Sequence, residues 1–137
     1  MKLFSEKIKY GLAALFELAK NYNKGPVKIE DIAISQNIPQ NYLEHLLIKL
    51  KNADLVDSIR GKKGGYQLKR TADSITVLDL LIGLEGKIST FDRFGTSEVL
   101  RDYWKGIEDK FSELFYTTLE DLINEENKIH NRLFFQI

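Results

Sequence analysis

The chain has 137 residues, no cysteine, and equal numbers of acidic and basic side chains. Its length suits one domain or a small domain with an appendage, and 43% hydrophobic residues suffice for a core without cross-links. The lack of cysteine excludes disulfides, thiolate-ligated zinc, Cys-ligated iron–sulfur clusters and thiol nucleophiles. No apolar run approaches the roughly 20 residues of a membrane span and the start is not a signal peptide, so we expect a cytoplasmic protein without a membrane partner.

The zero net charge conceals an asymmetry between the two halves of the sequence. Residues 1–70 hold 13 Lys and Arg against 7 Asp and Glu, a balance of +6, whereas residues 71–137 hold the reverse numbers. The basic half predicts contact with a polyanion, although chance or a solvated acidic helix face would also explain the numbers.

Three amphipathic segments predict helices at about 7–21, 29–36 and 40–51. A Gly-Pro connection separates the first two, and the turn Asn37-Ile38-Pro39 separates the second from the third. The third helix carries leucines at i, i+3, i+4 and i+7, which are Leu43, Leu46, Leu47 and Leu50. Two short helices joined by a tight turn indicate a helix-turn-helix.

A basic hairpin follows these helices. Residues 55–59 and 66–69 have strand-like patterns, and Arg60-Gly61-Lys62-Lys63-Gly64-Gly65 lies between them. Three glycines permit the backbone angles of a hairpin tip, and three cations on that tip repel one another unless an anion neutralises them. The predicted fold class is therefore mainly α with a small β-hairpin wing, a winged helix-turn-helix plus a long C-terminal helix.

The remaining sequence predicts three further helical segments. A fourth helix at about 76–84 should bury Val77, Leu78, Leu81 and Leu84 and end before Gly86. After a loop at 87–96, a long helix begins with Thr96 or Ser97 as its cap, and Thr117 or Thr118 caps a restart. The apolar C-terminal residues 132–137 favour docking, either on the body of the protein or on a partner.

The long helix has an apolar seam that indicates dimerisation. Its residues are spaced four, three, four and three apart, as in a heptad repeat, and they are Leu100, Trp104, Ile107, Phe111 and Leu114, with Tyr103 beside them. An intramolecular core is the alternative, but so small a chain offers few partners for such a helix. We expect residues 1–75 to form the DNA-binding domain and residues 76–137 a dimerisation and effector or partner-response region.

Several motifs resemble one family when taken together. They are Tyr10-Gly11-Leu12, residues 38–44 (IPQNYLE), residues 55–61 (LVDSIRG) with Gly64-Gly65-Tyr66, and Leu84-Glu85-Gly86. The chain resembles the Rrf2 family of bacterial transcriptional regulators, densely over residues 1–86 and more loosely through Trp104 and residues 118–122. The resemblance implies a homodimeric winged-helix DNA binder whose long helices cross.

The chain departs from that family in one respect. Many members hold an iron–sulfur cluster through three cysteines before the tryptophan, but here Glu98 stands six residues before Trp104 and no cysteine exists. We therefore expect no cofactor. The chain is more similar to the cluster-free branch, which includes repressors of cysteine metabolism that respond to the enzyme cysteine synthase.

The DNA contacts are predicted from side-chain chemistry. If the leucines face the core, Asn41 can pair with adenine or bind a phosphate, Glu44 can accept from a cytosine amino group, and His45 can donate to a purine. The alternative is an ordinary solvated helix face. Tyr42 either reaches a phosphate or covers the core. Arg60 suits the minor groove, while the wing lysines suit phosphate neutralisation; a flexible surface loop is the alternative interpretation of this hairpin. The predicted DNA-contact residues are Lys28, Gln40, Asn41, Tyr42, Glu44, His45, Lys49, Arg60, Gly61, Lys62, Lys63, Gly64 and Gly65.

No catalytic constellation or metal site is recognisable in the sequence. The sequence predicts a homodimeric regulator, most simply a repressor, that binds an imperfect palindrome in double-stranded DNA. The alternative is a winged-helix module that binds protein and not DNA.

Overall fold

The computed structural model describes residues 1–89 and 97–136. Its helices and strands, in chain order, are α1 (Glu6–Lys20), α2 (Ile29–Gln36), α3 (Gln40–Asn52), β1 (Val56–Ile59), β2 (Gly65–Leu68), α4 (Val77–Glu85), α5 (Glu98–Glu113) and α6 (Leu119–Phe135). A short 3₁₀ turn, Ala72–Ser74, precedes α4. The two strands pair antiparallel, with Val56 opposite Leu68 and Ile59 opposite Gly65. The predicted winged helix-turn-helix with a long C-terminal helix is confirmed.

The core lies where α1, α2, α3 and α4 meet. The four α3 leucines predicted to face inward are all buried, as are Leu15 and Leu18 of α1 and Ile32 of α2. Gly11 lets α1 pack closely on α4, because a Cβ there would lie 2.9 Å from Cδ1 of Leu84 and the leucine side chain would have to shift. These contacts fix the helix-turn-helix to the rest of the domain.

The burial predicted for the fourth helix is wrong at its start. Leu81 and Leu84 are buried as expected, but Val77 and Leu78 are only half-buried, and Leu80 is fully buried instead. The first turn of α4 lies against the α5–α6 connection, where the backbone N–H of Leu78 donates to the Phe115 carbonyl at 2.8 Å. That connection covers the side chains of the first turn only in part.

Side-chain caps set where the last three helices begin. Thr76 and Thr118 each form a capping box, with Asp79 and Asp121 respectively. Ser97 caps α5 by accepting from the Leu100 backbone N–H at 3.4 Å. The structure thus selects Ser97 and Thr118 from the predicted caps. Residues 90–96 of the predicted loop, including Thr96, lie outside the described residues.

The two C-terminal helices are packed far less than the others. α5 contains no buried residue, and in α6 only Leu119 is buried. α6 lies against α1, where Lys20 and Glu126 approach to 3.9 Å. Across residues 1–89 and 97–136, no helix is both long and apolar enough to cross a membrane.

Candidate nucleic-acid interface

α3 presents a polar face on the side opposite its buried leucines. Asn37, in the left-handed conformation at φ 53°, ends α2, and the buried Ile38 anchors the turn before α3 begins. The exposed side chains of α3 include five of the predicted contacts: Gln40, Asn41, Glu44, His45 and Lys49. In the described part of the chain, none of these five forms a side-chain hydrogen bond or ion pair, so their polar atoms remain available to a ligand.

Tyr42 occupies an intermediate position. Its ring packs edge-on against Tyr10 of α1 with centroids 5.6 Å apart, yet 36% of the residue remains exposed. The ring therefore covers part of α1, and a phosphate contact by the hydroxyl group stays a prediction.

The wing is a tight hairpin joined to α3. Gly61, at φ 109°, accepts a 3.0 Å hydrogen bond from the Gly64 backbone N–H, and a Cβ on Gly64 would collide with the Ile59 carbonyl. Lys51 at the end of α3 donates to Ser58 Oγ of β1 at 2.9 Å. The first contact closes the tip of the wing, and the second joins its first strand to the end of α3.

The lysines around the wing differ in whether an acidic group pairs with them. Lys69 Nζ lies 2.9 Å from Asp54 Oδ1, which raises the pKa of Lys69 and lowers that of Asp54 through their hydrogen bond and charge attraction. Within the described residues, Arg60, Lys62 and Lys63 have no such partner. The unpaired cations at the tip are the ones suited to an external anion.

A third segment lies beside the wing. The backbone N–H of Val27 donates to the Tyr66 carbonyl, and the Tyr66 N–H donates to the Val27 carbonyl, both at 2.8 Å. This bridge brings the predicted contact Lys28 next to the wing. It also brings Lys24, which sequence reasoning missed because it treated residues 20–26 only as a connection.

The apolar seam of α5 is largely exposed. Trp104 is 42% exposed and Leu114 72%, and Leu100, Tyr103 and Ile107 are also exposed. These residues therefore do not form an intramolecular core with the described part of the chain. The stripe also includes Val99, which the heptad spacing omitted.

Phe111, another residue of the seam, packs against aromatic side chains of the same chain. Its ring packs against Phe115, with centroids 5.0 Å apart, and against Phe4 at 6.4 Å. The seam thus continues into an intrachain aromatic cluster at its C-terminal end.

The apolar C-terminal residues are in the last turns of α6. Leu133, Phe134 and Phe135 are all exposed, Phe135 by 83%. The described residues therefore do not show these side chains docked on the body of the protein, one of the two predicted outcomes.

Comparison with known proteins agrees with this geometry. Residues 4–125 match the Rrf2 family, described as iron-dependent transcriptional regulators. The HTH-type transcriptional regulator CymR of Bacillus subtilis is 43% identical over 120 residues, covering 86% of this chain and 87% of its own. The structure of CymR, the global cysteine regulator of B. subtilis, gives a TM-score of 0.80 at 42% identity, covering 91% of this chain and 98% of that one. The structure of T. potens IscR gives a TM-score of 0.77 at 35% identity, covering 92% of this chain and 88% of that one.

The family description raises the question of iron. The sequence contains no cysteine, and residues 1–89 and 97–136 contain no group of three or more His, Asp or Glu side chains that could hold a metal ion. An iron–sulfur cluster held by cysteine thiolates does not fit this chain.

The exposed polar face of α3 and the cationic wing lie on one body, as a duplex-binding surface requires. The similar proteins cover most of the chain and are transcriptional regulators rather than enzymes. The chain therefore belongs to the Rrf2 family and is a DNA-binding transcriptional regulator of the winged helix-turn-helix class.

Proposed function

We propose that the protein is a homodimeric repressor that binds an imperfect palindrome and needs no Cys-ligated cluster. The observation that carries this proposal is the exposed apolar stripe of α5. Exposed apolar side chains clustered on one helix face mark an interaction surface. A heptad-like seam is self-complementary when a second copy packs against it, so we assign the stripe to a twofold interface.

Dimerisation determines the form of the operator. Two copies related by a twofold axis present two α3 helices and two wings, so the half-sites should be repeated in inverted orientation. Their centres should lie one helical turn, roughly 34–36 Å, or a multiple of that distance apart. Residues 71–137, with a balance of −6, would be repelled by phosphate and leave the basic half to dock.

Base reading and backbone binding fall to different side chains in this proposal. Asn41, Glu44 and His45 stand on the exposed face near the start of α3, where a recognition helix reads base edges. Arg60 enters the minor groove, and Lys62 with Lys63 neutralises phosphates.

The regulated genes are inferred from the relatives. A solved relative is the global cysteine regulator of B. subtilis, and it covers 91% of this chain. We therefore assign control of sulfur and cysteine metabolism to this protein. The exposed end of α6 is the surface for a regulatory protein partner such as cysteine synthase. The start of α5 is an alternative effector surface; most of the loop predicted at 87–96, the other candidate, lies outside the described residues.

The proposal is tested by capturing the genomic DNA that the protein occupies and measuring its affinity for those sites. We expect inverted repeats upstream of sulfur-metabolism genes, bound by a dimer. A monomer that binds no duplex even at low salt would indicate a protein-binding winged helix instead.

Two sets of substitutions separate the contact types. Replacing Lys62 and Lys63 with Ala should weaken all duplexes similarly and reduce the slope of log affinity against log salt by about 0.9 per lost contact. Glu44→Ala should instead change the preferred base at one position, by about 1–3 kcal/mol. Lys128→Ala, at an exposed residue of α6, is the matched charge control. Unchanged duplex binding by the wing variant would contradict the assignment.

A further inference from the structure

A cleft of about 460 Å³ separates the α1–α2 connection from the wing. Lys24 and Lys28 line one side of it, and Lys62 and Lys63 line the other. Asp31, in the first turn of α2, is the acidic residue of the lining.

The fold fixes the two sides of this cleft relative to each other. The paired backbone hydrogen bonds between Val27 and Tyr66 hold the connection against β2. Gly65 allows that approach, because a Cβ at its φ of 147° would collide with the Val27 carbonyl. Two lysine pairs that are far apart in sequence are thereby held on facing loops.

The cleft carries an excess of positive charge. All four lysines are exposed, and among residues 1–89 and 97–136 none of them forms an ion pair or a side-chain hydrogen bond. By contrast, the nearby Lys51 and Lys69 are occupied by Ser58 and Asp54. Four ammonium groups against one carboxylate repel one another, and a bound anion would relieve that repulsion.

We propose that this cleft is a phosphate-binding site for the duplex backbone, in which Lys24 joins the already predicted contact Lys28 outside the recognition helix and wing. Lysine acts on phosphate as a flexible point charge, so these contacts supply affinity without base preference. The carboxylate of Asp31 weakens the attraction between the cleft and the phosphates. The inference rests on the proposed duplex binding and extends it to the α1–α2 connection.

The first experiment uses the full-length protein and a double variant, Lys24→Ala with Lys28→Ala. Affinity for a random-sequence duplex is measured by fluorescence anisotropy over a range of salt concentrations. The slope of log affinity against log salt should fall by about 1.8 per protomer, since each lost phosphate contact removes about 0.9. The ratio of operator to random-duplex affinity should stay unchanged. An unchanged slope, with the variant folded by circular dichroism, would overturn the inference.

A second pair of variants tests whether removing the negative charge of the cleft strengthens duplex binding. Asp31→Asn removes the carboxylate of the cleft and should tighten duplex binding. Glu30→Gln removes the same charge from the adjacent residue, which does not line the cleft, and serves as the matched control. Equal effects of the two variants would show that only overall charge matters and would overturn the site.

Free phosphate is distinguished from the duplex backbone by direct titration. Inorganic phosphate is added to the protein without DNA in a calorimetric titration, where we expect no saturable binding. Saturable binding that is lost in the Lys24→Ala, Lys28→Ala variant, together with an unchanged salt slope for the duplex, would assign the cleft to free phosphate and overturn the inference. Absence of duplex binding by the unmodified protein would overturn the proposed function as well, whereas the outcomes above leave that function standing.

Discussion

The helices α1–α4 and the helix α5 differ in whether the chain buries their apolar side chains. From α1 to α4 the helices bury them inside one molecule, and α3 alone buries four leucines. α5 buries none, although it carries Leu100, Trp104 and Ile107 along one side. Both regions are amphipathic helices, so the difference lies in whether the same chain supplies a covering surface. Within the described residues of one chain, the apolar face of α5 is left uncovered.

The largest effect expected from this comparison comes from charging the α5 stripe. Leu100→Asp together with Ile107→Asp places four carboxylates in the proposed dimer interface, and an unfavourable charge juxtaposition costs several kcal/mol. We expect monomers and a loss of operator affinity of roughly 100-fold or more, since about 1.4 kcal/mol is a factor of ten. Oligomeric state is measured by analytical ultracentrifugation.

The single tryptophan gives a second measurement of the same prediction. Trp104 lies on the α5 stripe and is the only Trp of the chain. Its fluorescence should shift to longer wavelength when the dimer dissociates and the ring becomes wetter. Ile34→Asp, at an exposed position of α2, is the control and should leave the oligomeric state unchanged. A charged α5 variant that stays dimeric would place the interface elsewhere.

A core substitution should act within one chain. Leu47→Ala removes a fully buried side chain of α3, and we expect the free energy of unfolding to fall by about 3 kcal/mol. Urea denaturation at several protein concentrations measures this loss. The loss should be the same at every concentration, whereas the effect of the α5 variants should depend on concentration.

The neighbouring residue provides the control for this change. Ile48 is 56% exposed, so Ile48→Ala should alter stability by only about 0.5 kcal/mol. Similar losses for the two alanine variants would show that α3 is not oriented as described.

The smallest effect concerns a polar link between the two regions. Glu17 of α1 accepts a 2.8 Å hydrogen bond from Gln36 of α2, and Lys20 lies 3.2 Å from Glu17 and 3.9 Å from Glu126 of α6. Burial raises the pKa of Glu17, but hydrogen bonds from Gln36, Lys20 and Ser35 outweigh it, so the pKa is lowered overall.

A lowered pKa in the folded state stabilises the protein above the unfolded value of 4.5, and this contribution is lost as the pH falls through the folded pKa. Glu17→Gln should therefore cost about 1 kcal/mol at neutral pH, and less below pH 4.5. Urea denaturation at neutral and acid pH measures the difference, with exposed Glu30→Gln as control. A stability loss independent of pH would contradict this role for the carboxylate.

Local patterns predicted most of the helix-turn-helix and wing because these elements follow short-range rules. The α2 bounds, Ile29–Gln36, agree with the expected 29–36, and all four α3 leucines are buried. In α4 the prediction was wrong for Val77 and Leu78, because their burial depends on the α5–α6 connection more than 30 residues later. Periodicity identifies a helix face but not its neighbours.

The helices, the cationic hairpin and the absence of thiolate ligands follow from residue type and near spacing, so they are predictable without a structure. Which charged side chains approach one another depends on the folded chain. The Val27–Tyr66 bridge brings Lys24 beside the wing, and Lys69 is neutralised by Asp54, 15 residues earlier. Tertiary structure also left the α5 stripe uncovered, since burial depends on which surfaces the folded chain brings together, and these are set by contacts between distant residues.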